Sequence, residues 1–291
     1  MVRLLAEFAP AKINLFLRVV GRRPDGYHEL DSIFVPISLC DRVAIEVRPS
    51  HGVSIAIAMR SAIGNIPSGD RNLAWRAAAA MMREFGLTAQ VAIDLHKHIP
   101  AGAGLGGGSS DAGAVLRMMA ALYRIDDRER LAKAAAGLGA DVPFFLDPRA
   151  ARVTGIGERI APLDSMPVLH LVVAAPPEEV STAEVFAALT PDDWSGAAPD
   201  AAVRGITAGR FEAAALVNDL EPIAIRLCPK ICRLKAILQE FGASAAAMTG
   251  SGGAVFGIFP SAEAAARAAE AGRSRAPDCR FIAASSIGRR I

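Results

Sequence analysis

The sequence predicts an α+β protein of two domains, and three observations carry that reading. The N-terminal part supplies short runs rich in Val and Ile, a glycine-dense loop at residues 100–113 leads into a helical pattern, and the second half alternates strands with helices. With 291 residues, 52% of them hydrophobic, the chain exceeds one typical domain and suffices for a large core. The domains are expected at residues 1–164 and 165–291, with a junction near Met166-Pro167.

Taken in order, residues 4–8 and 13–20 read as strands, the second stopped by Gly21. Arg22-Arg23-Pro24-Asp25-Gly26 has turn chemistry, yet Tyr27 and His28 follow it directly, before a strand at residues 32–37. An aromatic and an imidazole at a strand entrance fit edge packing as readily as a binding role. Two further strands are expected at residues 43–47 and 53–58. Asp70-Arg71-Asn72-Leu73 opens a helix that carries Ala74, Ala78, Met81 and Phe85 on its apolar side and stops at Gly86. A strand at residues 91–95 then leads through Lys97 to the glycine loop.

That loop is the most informative stretch. Gly102, Gly104, Gly106, Gly107 and Gly108 can each take the positive-φ conformations denied to other residues, so successive N–H groups can turn into one anion-binding nest. Ser109, Ser110 and Asp111 are N-cap types, and Ala112, Val115, Leu116, Met119 and Tyr123 recur at helical spacing after them. An amphipathic helix is expected, its positive end facing the same anion. Gly102, Gly104 and Gly107 also satisfy G-x-G-x-x-G, but no strand with a terminal acidic residue follows the helix, as a dinucleotide fold requires. No Lys follows the last glycine either, so the loop is not a P-loop and its cation must come from elsewhere.

Residues 129–138 form another helical pattern. Beyond it Asp141 stands where an N-cap belongs, with Pro143 near the first turn, while a lone carboxylate among Val142, Pro143 and Phe144 is also what a general base requires. Both readings stay open on the residues alone. Residues 152–162 alternate as β structure, and 170–174 form a strand. Ser181-Thr182-Ala183-Glu184 is a capping box opening a helix with Val185, Phe186 and Leu189. Helices follow at 210–217 and 229–241, then strand, glycine turn and strand over 245–259, a helix at 261–272 and a strand at 280–284.

Composition excludes several classes. A net charge of +2 with 21% charged residues and no basic run gives no footprint for nucleic acid. No apolar run reaches membrane-spanning length, and the segment Met1 to Phe8 is too short and too soon charged for a signal peptide, so a cytoplasmic protein is expected. Cys40, Cys228, Cys232 and Cys279 lack metal-ligand spacing; Cys228 and Cys232, one helical turn apart, are expected as small buried residues.

Three stretches together resemble a family. Pro10-Ala11-Lys12-Ile13-Asn14-Leu15, the loop from Pro100 to Ser110, and Thr249-Gly250-Ser251-Gly252 are similar to the three motifs of the GHMP small-molecule kinases. The continuation Arg22-Arg23-Pro24-Asp25-Gly26-Tyr27-His28-Glu29-Leu30, with Gly139-Ala140-Asp141-Val142-Pro143, resembles the branch acting on 4-diphosphocytidyl-2-C-methyl-D-erythritol. The resemblance spans essentially the whole chain. It implies an N-terminal domain like ribosomal protein S5, a ferredoxin-like C-terminal domain, and an active site in the cleft between them. It implies ATP-dependent phosphorylation of the substrate's 2-hydroxyl in the non-mevalonate isoprenoid pathway, with Mg²⁺. Two departures are small: Asp111 stands where some members have Asn, and Gly253 follows the last motif where other small residues occur.

Carried over residue by residue, Lys12 and Asp141 match the catalytic pair, the aspartate accepting the hydroxyl proton and the lysine supplying the cation missing from the loop. Pro100, Ala101, Gly102, Ala103, Gly104, Leu105, Gly106, Gly107, Gly108, Ser109 and Ser110 would wrap the ATP phosphates, Ser110 also helping to hold Mg²⁺, while Asn72 and Lys97 would line the adenine pocket. Tyr27 and Phe186 would sandwich the cytosine ring, His28 would bond its edge, and Asn14 would lie near the erythritol end. The implied partner is a small cytidine-diphosphate substrate, without nucleic acid or membrane, bound by a monomer or homodimer.

Overall fold

The computed structural model describes residues 2–60, 66–211 and 215–288. The first sheet is built from β1 (Arg3–Arg22), β2 (His28–Pro49), β3 (Ser54–Arg60), β4 (Ala89–His96), β5 (Ala151–Gly155) and β6 (Arg159–Pro162). Its order is β3-β4-β2-β5-β6, with β1 paired along β2 and only the β3–β4 pair parallel. The two long strands replace four shorter ones expected from the sequence. Proline and polar residues suggested breaks, but the chain runs through them on register shifts at Pro10/Ala11, Asn14/Leu17 and Val19/Gly21. Such irregularities bend a strand and re-aim its side chains.

Burial along β1 explains how its middle came to carry polar residues inward. Residues before Ala9 alternate between exposed and half-buried, whereas every residue from Ala9 to Leu17 is buried, Lys12 and Asn14 included. Ala11, Ile13 and Leu15 join the core shared with the second sheet, while Lys12 and Asn14, alternating with them, are buried together on the other side, where Asn14 bonds both Lys12 and Ser32.

The second sheet comprises β7 (His170–Ala175), β8 (Ala245–Met248), β9 (Val255–Phe259) and β10 (Arg280–Ser285), all antiparallel in the order β10-β7-β9-β8. Fourth, first, third, second is the ferredoxin-like order the resemblance implied. A common core joins the sheets: Ile13, Leu15, Ile33 and Val35 of the first sheet pack with Leu171, Val173 and Phe256 of the second.

The helices are α1 (Leu73–Phe85), α2 (Gly107–Tyr123), α3 (Arg128–Ala136), α4 (Thr182–Ala187), α5 (Asp200–Thr207), α6 (Glu221–Leu227), α7 (Lys230–Glu240) and α8 (Ala262–Arg275). Several differ from expectation. α1 is capped by Asn72, whose side chain accepts from the Ala74 N–H at 2.9 Å; Asp70 lies in a preceding 3₁₀ turn, Gly69–Arg71. The N-cap of α2 is Gly106, so Ser109, Ser110 and Asp111 lie inside its first turns instead of capping it. α2 is buried from Ser110 through Ala120, enclosed and not amphipathic, because Asp111 and Arg117 find partners within the protein. The expected helix over 210–217 runs onto residues 212–214, outside the described residues; α5, masked in the sequence by Gly205, precedes it. Cys228 is buried as expected, but Cys232 is exposed on α7.

Candidate active site

The glycine loop is held by contact between backbones. Gly102, Gly104 and Gly106 take positive φ (+63°, +78° and +70°), while Gly107 and Gly108 are already helical. A Cβ on Gly104 would lie 2.3 Å from the Thr249 carbonyl oxygen, and one on Gly252 would lie 2.3 Å from the Gly104 nitrogen. The two glycine stretches therefore touch main chain to main chain, which only glycine permits. The Ala254 N–H donates to the Ala103 carbonyl (3.2 Å), and the Lys12 N–H to the Leu105 carbonyl (3.0 Å). Thus 249–253, read as a plain hairpin turn on residues alone, is the clamp on the loop.

Two cavities open on either side of this loop. One, of about 540 Å³, is lined by the loop, by Asn72 and Lys97, and by Glu179. The other, of about 700 Å³, holds Lys12, Asn14, Tyr27, His28, Asp141 and Phe186. Gly104, Gly106, Ser109 and Thr182 line both. Thr182 bonds Ser251 through their hydroxyls at 2.7 Å, tying the start of α4 to the second glycine stretch.

In the larger cavity Lys12 Nζ lies 3.6 Å from Asp141 Oδ2, donates to Asn14 Oδ1 at 2.7 Å and sits 4.7 Å from the Phe34 ring centroid. Burial pulls the Lys12 pKa below the usual lysine value of 10.5, against the opposing pull of Asp141's charge. Asp141 keeps 31% of its side chain exposed and is not the N-cap of the 3₁₀ turn Pro143–Leu146; that position belongs to Val142. The capping alternative is therefore removed. Asn14 is held at both ends of its amide, since Oδ1 also accepts from Thr249 Oγ1 (3.2 Å) and Nδ2 donates to Ser32 Oγ (2.9 Å), and its main-chain N–H donates to Thr249 Oγ1 (2.9 Å). Ser32 and Thr249 are site residues that sequence reasoning missed; Thr249's place in the third glycine motif was the available signal.

The aromatic group also gathers here. His28 and Phe186 face each other with ring centroids 5.5 Å apart and planes tilted by 30°, and Trp194 meets His28 edge-on at 6.2 Å. Tyr27 lines the same cavity with 62% of its surface exposed. Burial, and then the charge of Arg22, lower the His28 pKa, which keeps a donor and an acceptor on the neutral ring.

Beside the smaller cavity Lys97 bonds Asp41 and, at 2.7 Å, Asp111 Oδ2, while Asp41 Oδ1 accepts from the Ile99 N–H at 2.9 Å. Burial alone would lower the Lys97 pKa, but the charges of Asp111 and Asp41 more than offset it and raise it. Burial drives Asp111 the other way, well above the carboxylate range. The Asn72 side chain is spent on its cap and on the Pro67 carbonyl (2.9 Å). Both residues line the cavity while their polar atoms serve the fold.

Among the described residues no group of three or more His, Cys, Asp or Glu gathers to hold a metal ion. A Mg²⁺ ion carried by a polyphosphate needs few protein ligands. Ser110 offers one: its hydroxyl is buried without a hydrogen-bond partner. It lines neither cavity as the structure stands, although Ser109 beside it lines both. That one unpartnered hydroxyl is the donor the chain offers to a phosphate-borne cation. A carboxylate beside a buried lysine, next to a glycine cradle, can take a proton from a hydroxyl while the lysine faces developing negative charge.

Comparison with known proteins agrees with this chemistry. A profile described as GHMP kinases N terminal domain matches residues 72–147, and one described as GHMP kinases C terminal matches residues 202–278. A protein of Anaeromyxobacter dehalogenans named 4-diphosphocytidyl-2-C-methyl-D-erythritol kinase is 42% identical over 94% of this chain and 86% of its own length. One of that name from Geobacter metallireducens is also 42% identical, over 90% of this chain and 92% of its own. A crystal structure described as 4-(cytidine 5'-diphospho)-2C-methyl-D-erythritol kinase superposes with a TM-score of 0.82 at 40% identity, covering 98% of this chain and 100% of the other.

Proposed function

The chain belongs to the GHMP kinases and, within them, to the 4-diphosphocytidyl-2-C-methyl-D-erythritol kinases; on that premise we propose that it moves the γ-phosphoryl group of ATP onto that substrate's 2-hydroxyl, across the wall shared by its two cavities. The observation that carries the reading is that wall: Gly104, Gly106, Ser109 and Thr182 border both spaces, with Lys12 and Asp141 on one side of it. ATP belongs in the smaller cavity, its phosphates against the amides of the loop and the start of α2. The cytidine substrate belongs in the larger one, its base between Tyr27 and Phe186 and on His28.

The transfer then needs little covalent help from the protein. Asp141 accepts the proton of the 2-hydroxyl as that oxygen bonds the γ-phosphorus and the bond to the bridging oxygen of ADP breaks. Lys12, fixed by Asn14 and through it by Thr249 and Ser32, holds its charge toward the phosphoryl group. Ser110 would help hold Mg²⁺, which when bound would supply neutralisation of phosphate charge. We place the domain boundary at 164/165, supported by the first sheet's end at Pro162 and the second sheet's start at His170. Action in the cytoplasm on a free small molecule fits the reading; among the described residues no helix is long and apolar enough to cross a membrane.

A coupled assay of ADP release tests this. The expected result is turnover with 4-diphosphocytidyl-2-C-methyl-D-erythritol and only background with mevalonate or homoserine, which give the aromatic group nothing to clasp. Comparable turnover of mevalonate would overturn the substrate assignment.

A further inference from the structure

The proposed acceptor carries a diphosphate between cytidine and its sugar alcohol, and the following inference rests on that reading. Two cationic side chains line the larger cavity, Lys12 and Arg22. Lys12 is committed to Asn14 and Asp141. Arg22 is not: its Nε donates to the Gly26 carbonyl at 3.3 Å, and it has no acidic partner among the described residues. The adjacent Arg23 is neutralised instead, with Nη2 lying 3.1 Å from Asp25 Oδ2. Of two successive arginines, one is paired in the turn and the other lends an uncompensated guanidinium to the cavity.

Its position also suits the substrate's shape. Arg22 pairs with His28 in the register of β1 and β2, which sets it beside the end of the cavity assigned to the base. A diphosphate attached to the 5′ end of cytidine must leave the base pocket within a few ångströms, before the sugar alcohol reaches Lys12 and Asp141. A guanidinium has a planar fork of donors that matches two phosphate oxygens, and it stays charged at any working pH. We propose that Arg22 binds the diphosphate of the cytidine substrate and thereby sets the preference for a cytidine diphosphate over an uncharged cytidine.

Titration calorimetry with cytidine and with CDP, on the parent, Arg22→Gln and Arg22→Lys, tests this. Arg22→Gln should weaken CDP by roughly tenfold or more, the scale of one charge-assisted contact, and leave cytidine within about twofold. Arg22→Lys should recover part of the loss, since it restores charge without the fork. The difference should shrink at high salt, because Arg22 is exposed. In turnover, Arg22→Gln should raise KM for the full substrate more than it lowers kcat. Equal weakening of cytidine and CDP would overturn the proposal, since Arg22 would then act only through the turn that carries Tyr27; an unchanged CDP affinity would overturn it as well. Failure of the parent to phosphorylate the full substrate would count against the function instead, because the CDP-to-cytidine comparison reads Arg22 without turnover.

Discussion

Lys12 and Asp141 lie far apart in sequence and 3.6 Å apart in space, and the whole chemical case turns on what that pair does. Because Val142 and not Asp141 occupies the N-cap, Asp141→Asn removes no cap, and any loss of melting temperature comes from the buried Lys12 left without its counter-charge, while turnover should fall by about a hundredfold or more, the range of a lost general base. A variant that turned over within threefold of the parent would remove the aspartate from the mechanism. The buried lysine adds a pH signature. Its pKa is lowered, so raising the pH strips its proton earlier than from an ordinary lysine, and the alkaline limb of kcat/KM should fall below pH 10.5. At the base end, Tyr27→Ala should weaken the cytidine substrate by roughly 1–3 kcal/mol and leave ATP affinity unchanged in calorimetry, since Tyr27 lines only the larger cavity. These residues were legible because each sits in a short local motif. Asn14's bond to Thr249 and Lys97's bonds to Asp41 and Asp111 were not, since they join partners brought together only by the fold.

At the scale of elements, α2 and the two glycine stretches behave as one unit. The sequence showed that the loop needs glycine but not the full reason: Gly104 is required by the Thr249 carbonyl as much as by its own φ of +78°. Gly104→Ala should therefore cost about 2 kcal/mol or more, from overpacking and left-handed strain together, and a denaturant titration would show it. A loss below about 0.5 kcal/mol would mean that the two loops move apart freely. Periodicity misread α2 as amphipathic because the partners of Asp111 and Arg117, Lys97 and Glu7, lie elsewhere in the sequence and receive them inside only in the fold. The same limit hid the length of β1 and β2, whose proline and polar residues suggested ends where the structure has register shifts.

At the scale of the molecule, the site exists because two sheets share a core. The bridges Leu17 to Asn218 and Ile37 to Ser286 join segments of the two halves, and the Asp219 carboxylate accepts from the Val19 N–H at 2.7 Å. The first half supplies the loop, the lysine and the aspartate; the second supplies Thr182, Phe186 and the clamp at Thr249. Ferredoxin-like order in the second sheet was implied by family resemblance, not by any pattern of residues, because strand order depends on crossovers that no local motif records. On the proposed function, one phosphoryl group crosses the wall between the cavities to a single hydroxyl. Phosphorus NMR of the parent enzyme with ATP, Mg²⁺ and 4-diphosphocytidyl-2-C-methyl-D-erythritol reads this directly. One new phosphomonoester coupled to carbon 2 of the erythritol is expected, with ADP formed in equal amount and the substrate's diphosphate intact. ADP formed without that phosphomonoester, or a cleaved diphosphate, would contradict it.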